Sequence, residues 1–301
     1  MFRNILVPLD GSLVSEKALP LALQIARRAG ADIRLICVVP PAAAKGPPHP
    51  GLPRNEKTVV DLVAWRVRQA EHGKTVSTSL VEGPVAPTLA EHAAGVGADL
   101  IVMTTHGRGA ISRFWLGSVT DELIRRSTVP VLVTRPTDNE PADAELTKET
   151  PIRRVIVPLD GSPLAEAALG PATALARLFG ATVGLFHAVP MLPVMLAEGA
   201  VLTQPAADVA VLDELTRQAH EMLNRTAERL AADGLKVQTT VVIAERPAVA
   251  ILEQTKPGDV IAVATHARTP AVRWFLGSVA DKLIRGSDVP VLVVRPTGKA
   301  T

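Results

Sequence analysis

The sequence predicts two tandem open α/β domains, each a parallel sheet with helices on both faces. In both halves, short β-branched runs alternate with stretches of helical periodicity, the pattern of a doubly wound sheet. Three segments of the first half also return in the second: 5–12 as 155–162, 115–119 as 275–279, and 129–133 as 289–293. A solenoid repeat spans only about 20–50 residues. The repeat is therefore a duplicated domain.

Composition narrows the class of protein. The 301-residue chain is 47% hydrophobic and 21% charged, with a net charge of +2. That charge is too small for the electrostatic footprint of a nucleic-acid-binding protein. Cys37 is the only cysteine and lies in an apolar run. An intrachain disulfide and a cysteine-rich metal site are thus excluded, and we expect a buried, inert thiol.

Two patterns of membrane or secreted proteins are missing from the sequence. The residues from Phe2 to Val7 resemble a strand rather than a secretory leader. No apolar run approaches the roughly 20 residues that a membrane-spanning helix needs. We therefore expect a soluble, cytoplasmic protein that binds neither membrane nor nucleic acid.

The elements of the first copy follow from local patterns. Residues 4–8 are strand-like, and apolar residues recur at helical spacing from Ser15 to Arg28 before Gly30 ends the helix. Residues 75–81 alternate, as in a half-exposed strand, and 100–103 are continuously apolar, as in a strand covered on both faces. The remaining predicted elements are strand 32–39, helices 57–72, 85–96 and 118–127, and strand 130–134.

The second copy repeats the same order. Its predicted elements are 155–158, 165–179, 181–189, 212–232, 236–243, 247–256, 259–264, 278–287 and 290–294. Proline-rich segments at 40–53 and 190–205 predict loops at the carboxyl edge of each sheet. The polar, acidic segment 138–150 predicts a linker between domains at 1–137 and 151–301.

The first candidate site is the turn from Pro8 to Ser12, between strand and helix. A helix amino terminus presents free N–H groups that suit an anion. The carboxylate of Asp10 could accept a hydrogen bond from a ribose hydroxyl or an adenine amine. The alternative is that Asp10 and Ser12 only form a turn and cap the helix.

The second candidate site follows the fourth strand. Residues 104–109 read TTHGRG, and Gly117-Ser118 opens the next helix. Glycines let backbone N–H groups approach phosphate oxygens closely. If the fourth strand lies beside the first, both candidates flank the point where open α/β sheets bind ligands. An ordinary loop with a capped helix is the alternative.

These motifs together resemble the universal stress protein family in its tandem form. The resemblance covers nearly the whole chain and implies two five-stranded parallel sheets of order 3-2-1-4-5. ATP-binding members carry a G-x-x-G-x9-G-[ST] signature. Here the frame runs from Thr104 through Gly107 to Gly117-Ser118, with threonine in place of the first glycine. In the second copy it reads Ala264, Ala267 and Gly277-Ser278, so both glycines of the first turn are alanines.

By this resemblance, each copy holds an adenine nucleotide at one set of positions. In the first copy these are Pro8, Asp10, Val38, Met103, Thr104, His106, Gly107, Arg108, Gly117, Ser118 and Val119. In the second they are Pro158, Asp160, Ala188, Ala264, His266, Arg268, Gly277, Ser278 and Val279. The Cβ of Ala267 costs roughly 1 kcal/mol or more if that position needs a positive φ or close approach to phosphate. We expect the first site to be the stronger.

Three functions are compatible with the sequence. The first is a regulatory, stress-response protein that binds ATP, with or without Mg²⁺, or another adenine nucleotide. The second is a nucleotide-independent interaction or scaffold protein, and the third a slow ATP hydrolase. The missing G-x-x-x-x-G-K-[ST] loop disfavours hydrolysis. His106 could be catalytic, but phosphate contact or loop ordering is the better interpretation.

The last strand of each copy indicates how the domains could pair with each other. Its sequence, VPVLV, carries one proline near its start, as an edge strand tolerates. The resemblance implies that this strand pairs one domain with another. Two copies in one chain can satisfy that contact internally, as a pseudo-dimer, and pairing of whole chains into a homodimer is also compatible.

Overall fold

Ten strands form a single sheet that runs through both repeats. The structure, a computed structural model, describes residues 2–41, 56–71, 75–105, 116–135, 146–147, 149–191, 205–265 and 278–296. The strands are β1 (Asn4–Pro8), β2 (Asp32–Val39), β3 (Val76–Glu82), β4 (Leu100–Thr104), β5 (Val131–Thr134), β6 (Arg154–Pro158), β7 (Thr182–Pro190), β8 (Val237–Ala244), β9 (Asp259–Ala264) and β10 (Val291–Val294).

Helices cover both faces of this sheet. They are α1 (Leu13–Glu16), α2 (Leu19–Ala29), α3 (Glu56–Ala70), α4 (Val85–Gly95), α5 (Ser118–Arg126), α6 (Pro163–Glu166), α7 (Leu169–Phe179), α8 (Pro205–Ala232), α9 (Pro247–Glu253) and α10 (Ser278–Gly286). Alternate residues of β1 enter opposite layers: Ile5 and Val7 pack in one core cluster and Leu6 in the other. All three side chains are fully buried.

The strand order confirms the predicted fold class. The sheet runs β3-β2-β1-β4-β5-β10-β9-β6-β7-β8, so each half has the order 3-2-1-4-5 and is parallel throughout. The two halves join through one antiparallel pair, β5 with β10. The last strands therefore pair within the chain, as the resemblance implies.

The VPVLV strand is the last strand of each repeat's own five, and the other repeat supplies its partner. β5 and β10 lie at the centre of the ten-stranded sheet. Their prolines, Pro130 and Pro290, precede the strands and contribute only carbonyl oxygens, which accept from Ile101 N at 2.9 Å and Ile261 N at 3.0 Å. Proline has no N–H to donate, so this position loses no strand hydrogen bond.

The predicted helix from residue 15 to 28 is two helices, and so is its counterpart at 165–179. α1 ends at Glu16 and α2 begins at Leu19, while α6 ends at Glu166 and α7 begins at Leu169. Pro20 and Pro171 lie within the first turns of α2 and α7. A proline ring clashes with the carbonyl four residues earlier, so each chain turns before the proline.

Helix α8 also differs from the prediction. It begins at Pro205, whereas the sequence pattern predicted 212–232 with a loop up to residue 205. Proline is accepted in the first turn of a helix, where its missing N–H would have had no partner. The rest of the predicted proline-rich loops, 42–53 and 192–204, lies outside the described residues.

The junction between the repeats is a local twofold. Leu132 lies opposite Leu292, and Val131 and Val133 lie opposite Val293 and Val291. Leu132 therefore meets its own counterpart, and each valine meets the counterpart of the other valine, as in an isologous dimer interface.

Helix ends reinforce this junction on one face. Arg295 Nη1 donates to the carbonyl oxygens of Arg125 and Arg126 at 2.7 and 2.9 Å, at the carboxyl end of α5. Arg285 of α10 lies 3.4 Å from the carboxylate of Asp121 of α5. The positive guanidinium of Arg295 thus meets the negative end of a helix dipole.

The opposite face of the junction is held by α2 and α7. The guanidinium of Arg28 lies over the ring of Phe179, 4.7 Å from its centroid. Arg28 also pairs with Glu149 at 3.3 Å, and Thr150 N donates to Gln24 Oε1 at 3.2 Å. Leu146, from the segment predicted as a linker, is buried in the core cluster on this face.

Truncation of the junction core is expected to destabilise the protein. Leu132 is fully buried, so Leu132→Ala removes apolar contacts and leaves a cavity, costing about 2–5 kcal/mol of unfolding free energy. Urea unfolding measures the change. The matched control, Leu62→Ala, removes a leucine that is 56% exposed, and should change stability by less than about 0.5 kcal/mol. Equal effects would contradict a buried junction.

His92 gives the fold a second measurable property, a pH dependence. Its Nε2 atom is buried with no hydrogen-bond partner among the described residues. Burial, and then the positive charge of Arg34, lower the pKa of His92. The unfolded chain therefore binds a proton at His92 more tightly than the folded chain does. The free energy of unfolding is unaffected by this group above its unfolded pKa of about 6.5 and decreases as pH falls below that value.

Replacing His92 should flatten this pH dependence. His92→Gln introduces the residue type that the second repeat carries at the aligned position, Gln254. Unfolding free energy measured in urea between pH 7.5 and 5 should decrease less in the variant than in the parent. His220→Gln, on α8, serves as the control and should retain the parent slope. An unchanged slope in His92→Gln would contradict the assignment.

Candidate functional site

The sheet topology creates one crevice in each repeat. In the first repeat β1 pairs with β2 on one side and β4 on the other. The chain leaves β1 and β4 in opposite directions, which opens a gap outside their carboxyl ends. Open α/β sheets bind ligands at such a gap. The same arrangement recurs in the second repeat, where β6 lies between β7 and β9.

The Asp10 turn closes one side of the first crevice. Ser12 donates to Asp10 Oδ1 through its backbone N–H at 2.9 Å and through its hydroxyl at 2.6 Å. Gly11 has φ of 79°, a left-handed conformation that glycine adopts without strain. Ser12 also caps α1, because its Oγ accepts from Ser15 N at 3.2 Å. The Asp10 carboxylate is thereby fixed while the residue stays exposed.

Thr104 connects this turn to the neighbouring strand. Its Oγ1 donates to the carbonyl oxygen of Val14, in α1, at 3.0 Å. Thr104 is 4% exposed, and Met103 before it is also buried. The end of β4 therefore fixes the position of α1, and with it the turn that carries Asp10.

The amino terminus of α5 reaches the same edge of the sheet. α5 connects the carboxyl end of β4 to the amino end of β5, so it begins at the edge where Asp10 lies. Gly117 precedes it with φ of −57° and ψ of 144°, and no side-chain hydrogen bond caps the helix. The first N–H groups of a helix have no partner within the helix, so this end can accept an anion. Ser118 is exposed beside it.

The second repeat reproduces the turn. Ser162 N donates to Asp160 Oδ1 at 2.9 Å, Gly161 has φ of 82°, and Ser162 Oγ accepts from Ala165 N at 3.1 Å. At the end of β9, however, Ala264 replaces Thr104 and has no hydroxyl to reach α6.

Electrostatics at Asp160 favour the charged form. Burial acts to raise the pKa of this carboxyl, but hydrogen bonds from Ser162 and the positive charge of His187 outweigh it, so the pKa is lowered. Asp160 therefore remains a carboxylate, and a hydrogen-bond acceptor, at neutral pH.

The predicted site residues that the structure describes lie at these two carboxyl edges. In the first repeat they are Pro8, Asp10, Val38, Met103, Thr104, Gly117, Ser118 and Val119; in the second they are Pro158, Asp160, Ala188, Ala264, Ser278 and Val279. Six predicted site residues lie outside the described residues: His106, Gly107, Arg108, His266, Arg268 and Gly277.

Two side chains at these edges were not predicted. Ser15 Oγ donates to Ser12 O at 2.8 Å and accepts from Asp10 N at 3.3 Å, so it supports the turn from below. His187 Nδ1 lies 2.6 Å from the carbonyl oxygen of Leu159, directly before Asp160. The sequence contained one indication for His187: it directly precedes the predicted site residue Ala188 and aligns with Cys37 of the first repeat.

Sequence comparison assigns the family. The profile of the Universal stress protein family matches residues 1–135 and again residues 151–295. The chain belongs to the universal stress protein family. Two similar curated proteins are universal stress proteins of Mycolicibacterium smegmatis, 29% identical, and Mycobacterium tuberculosis, 28% identical. Each alignment covers 97% of this chain and 97% of the relative.

Solved structures agree on the fold. A universal stress protein from Archaeoglobus fulgidus superposes with a TM-score of 0.64, covering 99% of this chain and 97% of its own. A Pseudomonas aeruginosa protein described as functionally unknown superposes with a TM-score of 0.67, covering 98% and 93%. Sequence identities are 20% and 17%, so these likenesses concern architecture alone.

One further structural finding concerns membranes. Within the described ranges, no helix combines the length and the apolar character that a bilayer crossing requires.

Asp160 should contribute stability that disappears in acid. Its folded pKa is lower than its unfolded pKa of about 3.9. The contribution is therefore present above the unfolded pKa and is lost as pH falls through the lower folded pKa. Asp160→Asn, which keeps an amide oxygen as acceptor, should reduce stability at pH 7 and shrink the loss between pH 5 and 2.5.

Thermal unfolding across that pH range measures this effect. Asp213→Asn on the exposed face of α8 is the matched control and should leave the loss of stability between pH 5 and 2.5 unchanged. If Asp160→Asn and Asp213→Asn give identical curves, the hydrogen-bonded carboxylate makes no contribution.

Proposed function

We propose that this universal stress protein binds ATP, or another adenine nucleotide, and acts as a regulatory stress-response protein rather than an enzyme. One observation carries the proposal: the fixed, exposed Asp10 carboxylate and the uncapped start of α5 belong to the same sheet edge. One offers an acceptor for a nucleoside and the other offers N–H donors for phosphate. A nucleotide needs both.

The donor set fits such a ligand in its chemistry. Asp10 would accept from ribose hydroxyls or from the adenine amine, beside the half-buried Pro8 and Val38. The N–H groups of Ser118 and Val119, with the Ser118 hydroxyl, would donate to phosphate oxygens. By family resemblance, His106, Gly107 and Arg108 would complete the phosphate side.

The two repeats would serve the ligand unequally. Both keep the Asp-Gly-Ser turn, and hydrogen bonds of 2.9 Å hold both carboxylates. The second repeat has Ala264 and Ala267 where the first has Thr104 and Gly107. We propose a strong first site and a weaker second site, with Mg²⁺ accompanying ATP where the triphosphate is bound.

The proposal includes binding without rapid turnover. No G-x-x-x-x-G-K-[ST] loop supplies a lysine to the phosphates. Nucleotide occupancy would instead change the surface that the carboxyl edge presents to a protein partner.

Titration of nucleotide-free protein with ATP tests this function. Isothermal calorimetry should show a dominant site with one ATP per chain. Gly117→Asp should weaken that site by at least about a hundredfold, because a carboxylate at the helix start repels phosphate. Aspartate is itself a good helix cap, so α5 should remain folded.

Two controls separate charge from other effects. Gly117→Asn also caps the helix but adds no charge, and should weaken binding much less than Gly117→Asp. The equivalent change in the second repeat, Gly277→Asp, should leave the dominant site intact. Absence of binding at millimolar ATP would overturn the proposal in favour of a nucleotide-independent scaffold.

A further inference from the structure

The second repeat holds its Asp160 turn through a histidine. His187 lies near the end of β7, half-buried, with Nδ1 2.6 Å from the carbonyl oxygen of Leu159. A carbonyl oxygen can only accept, so Nδ1 carries the proton and donates. Leu159 N in turn donates to Phe186 O at 2.8 Å. The residue before Asp160 is thus bonded to β7 on both its N–H and its C=O sides.

The first repeat has no histidine at this position. Pro8 pairs with Ile36 and Pro158 with Phe186, so the next residues, Cys37 and His187, are structural equivalents. Cys37 is 4% exposed and packs within the core cluster. A thiol is at best a weak hydrogen-bond donor. The neighbouring strand on this side therefore supports the two turns through different chemistry.

The first repeat has a different tie, on the other side of the turn. Thr104, at the end of β4, donates to Val14 O at 3.0 Å and so holds the turn and α1 against that strand. The structural counterpart in β9 is Ala264, which has no hydroxyl. A side chain from an adjacent strand thus reaches the segment around each aspartate: Thr104 from β4 in the first repeat and His187 from β7 in the second.

We propose that His187 is a positioning residue of the second nucleotide site, where it replaces Thr104 in fixing the Asp-Gly-Ser turn. This inference rests on the proposed function. It assigns to the second site a determinant, an imidazole, that the first repeat does not carry at this position. The second aspartate is then held in its ligand-ready position from β7 rather than from the strand on the phosphate side.

Two neighbouring observations support this role. The positive charge of His187 contributes to the lowered pKa of Asp160, so the imidazole lies within electrostatic reach of the carboxylate. Met222 of α8 approaches the same turn, and its sulfur lies 3.5 Å from the position that a Cβ on Gly161 would occupy. The turn is therefore packed from β7 and α8 together.

The two parts of the ligand, nucleoside and phosphate, should therefore contribute unequally to affinity at the second site. On the proposed function the Asp160 turn faces the nucleoside, while the phosphate side has Ala267 in place of Gly107. Affinity at the second site should therefore depend strongly on the geometry of the turn. Loss of one hydrogen bond of this kind corresponds to roughly a threefold to tenfold change in affinity.

The experiment measures nucleotide affinity at the second site alone, using the full chain. Gly117→Asp disables the first site, and calorimetry then measures ATP and AMP binding at the second. In that background His187→Cys, which introduces the residue of the first repeat, should raise the dissociation constant roughly threefold to tenfold. His187→Gln, whose amide can donate to Leu159 O, should lose less affinity.

A rescue separates positioning from general folding. Ala264→Thr supplies the hydroxyl that the first repeat uses, with Leu164 O as the expected acceptor. Added to His187→Cys, it should restore most of the lost affinity. The melting temperature of each variant is measured alongside, and His220→Gln on α8 is the control that should change nothing.

The remaining outcomes overturn the inference. It fails if His187→Cys leaves affinity unchanged, if affinity falls only in proportion to a lower melting temperature, or if Ala264→Thr restores nothing. It also fails if the Gly117→Asp protein binds no nucleotide at all. In each case ATP binding to protein with Gly117 intact still tests the proposed function separately, because that site does not involve His187.

Discussion

The antiparallel pairing of β5 with β10 is the contact on which the architecture depends. An open five-stranded sheet ends in a strand with unpaired N–H and C=O groups, which is a template for unwanted association. Duplication gives each such strand a partner on the same chain. The register is self-complementary about Leu132 and Leu292. Among the described residues, one pairing therefore produces a ten-stranded sheet with β3 and β8 at its edges and brings α5 and α10 together.

The two crevices follow from that same order. Each lies where the chain leaves adjacent parallel strands in opposite directions, so its position is a consequence of topology. The candidate groups at its edge are local: an aspartate fixed by its own serine, and a helix start without a side-chain cap. Such short-range geometry can be copied intact while the surrounding support changes, as Thr104 and His187 illustrate.

Comparison of the repeats shows how support can be exchanged without altering the backbone. At the amino edge, Arg34 Nε donates to Asn4 Oδ1 at 2.6 Å in the first repeat. In the second repeat the arginine stands at the β6 position, as Arg154, and pairs with Asp259. The residue opposite Ile156 is then Gly184, where a Cβ would lie 3.2 Å from the Arg154 side chain. A guanidinium thus occupies this region in both repeats but is supplied by different strands.

The sequence by itself determined the duplication, the fold class, the order of elements and the location of the Asp-Gly-Ser turns. These follow from patterns that repeat within a few residues: β-branched runs, helical spacing, and a turn that only glycine adopts without strain. The strand bounds agree to within a residue or two for the same reason. The family assignment follows from the motifs in order.

Only the tertiary structure decided the rest. The break between α1 and α2 depends on a clash between Pro20 and a carbonyl one turn earlier, which periodicity does not register. The start of α8 at Pro205 depends on a proline that opens a helix instead of ending a loop. The ties from Thr104 to Val14 and from His187 to Leu159 join residues 90 and 28 positions apart. Such contacts exist only once neighbouring strands lie side by side, so no local pattern in the sequence could reveal them.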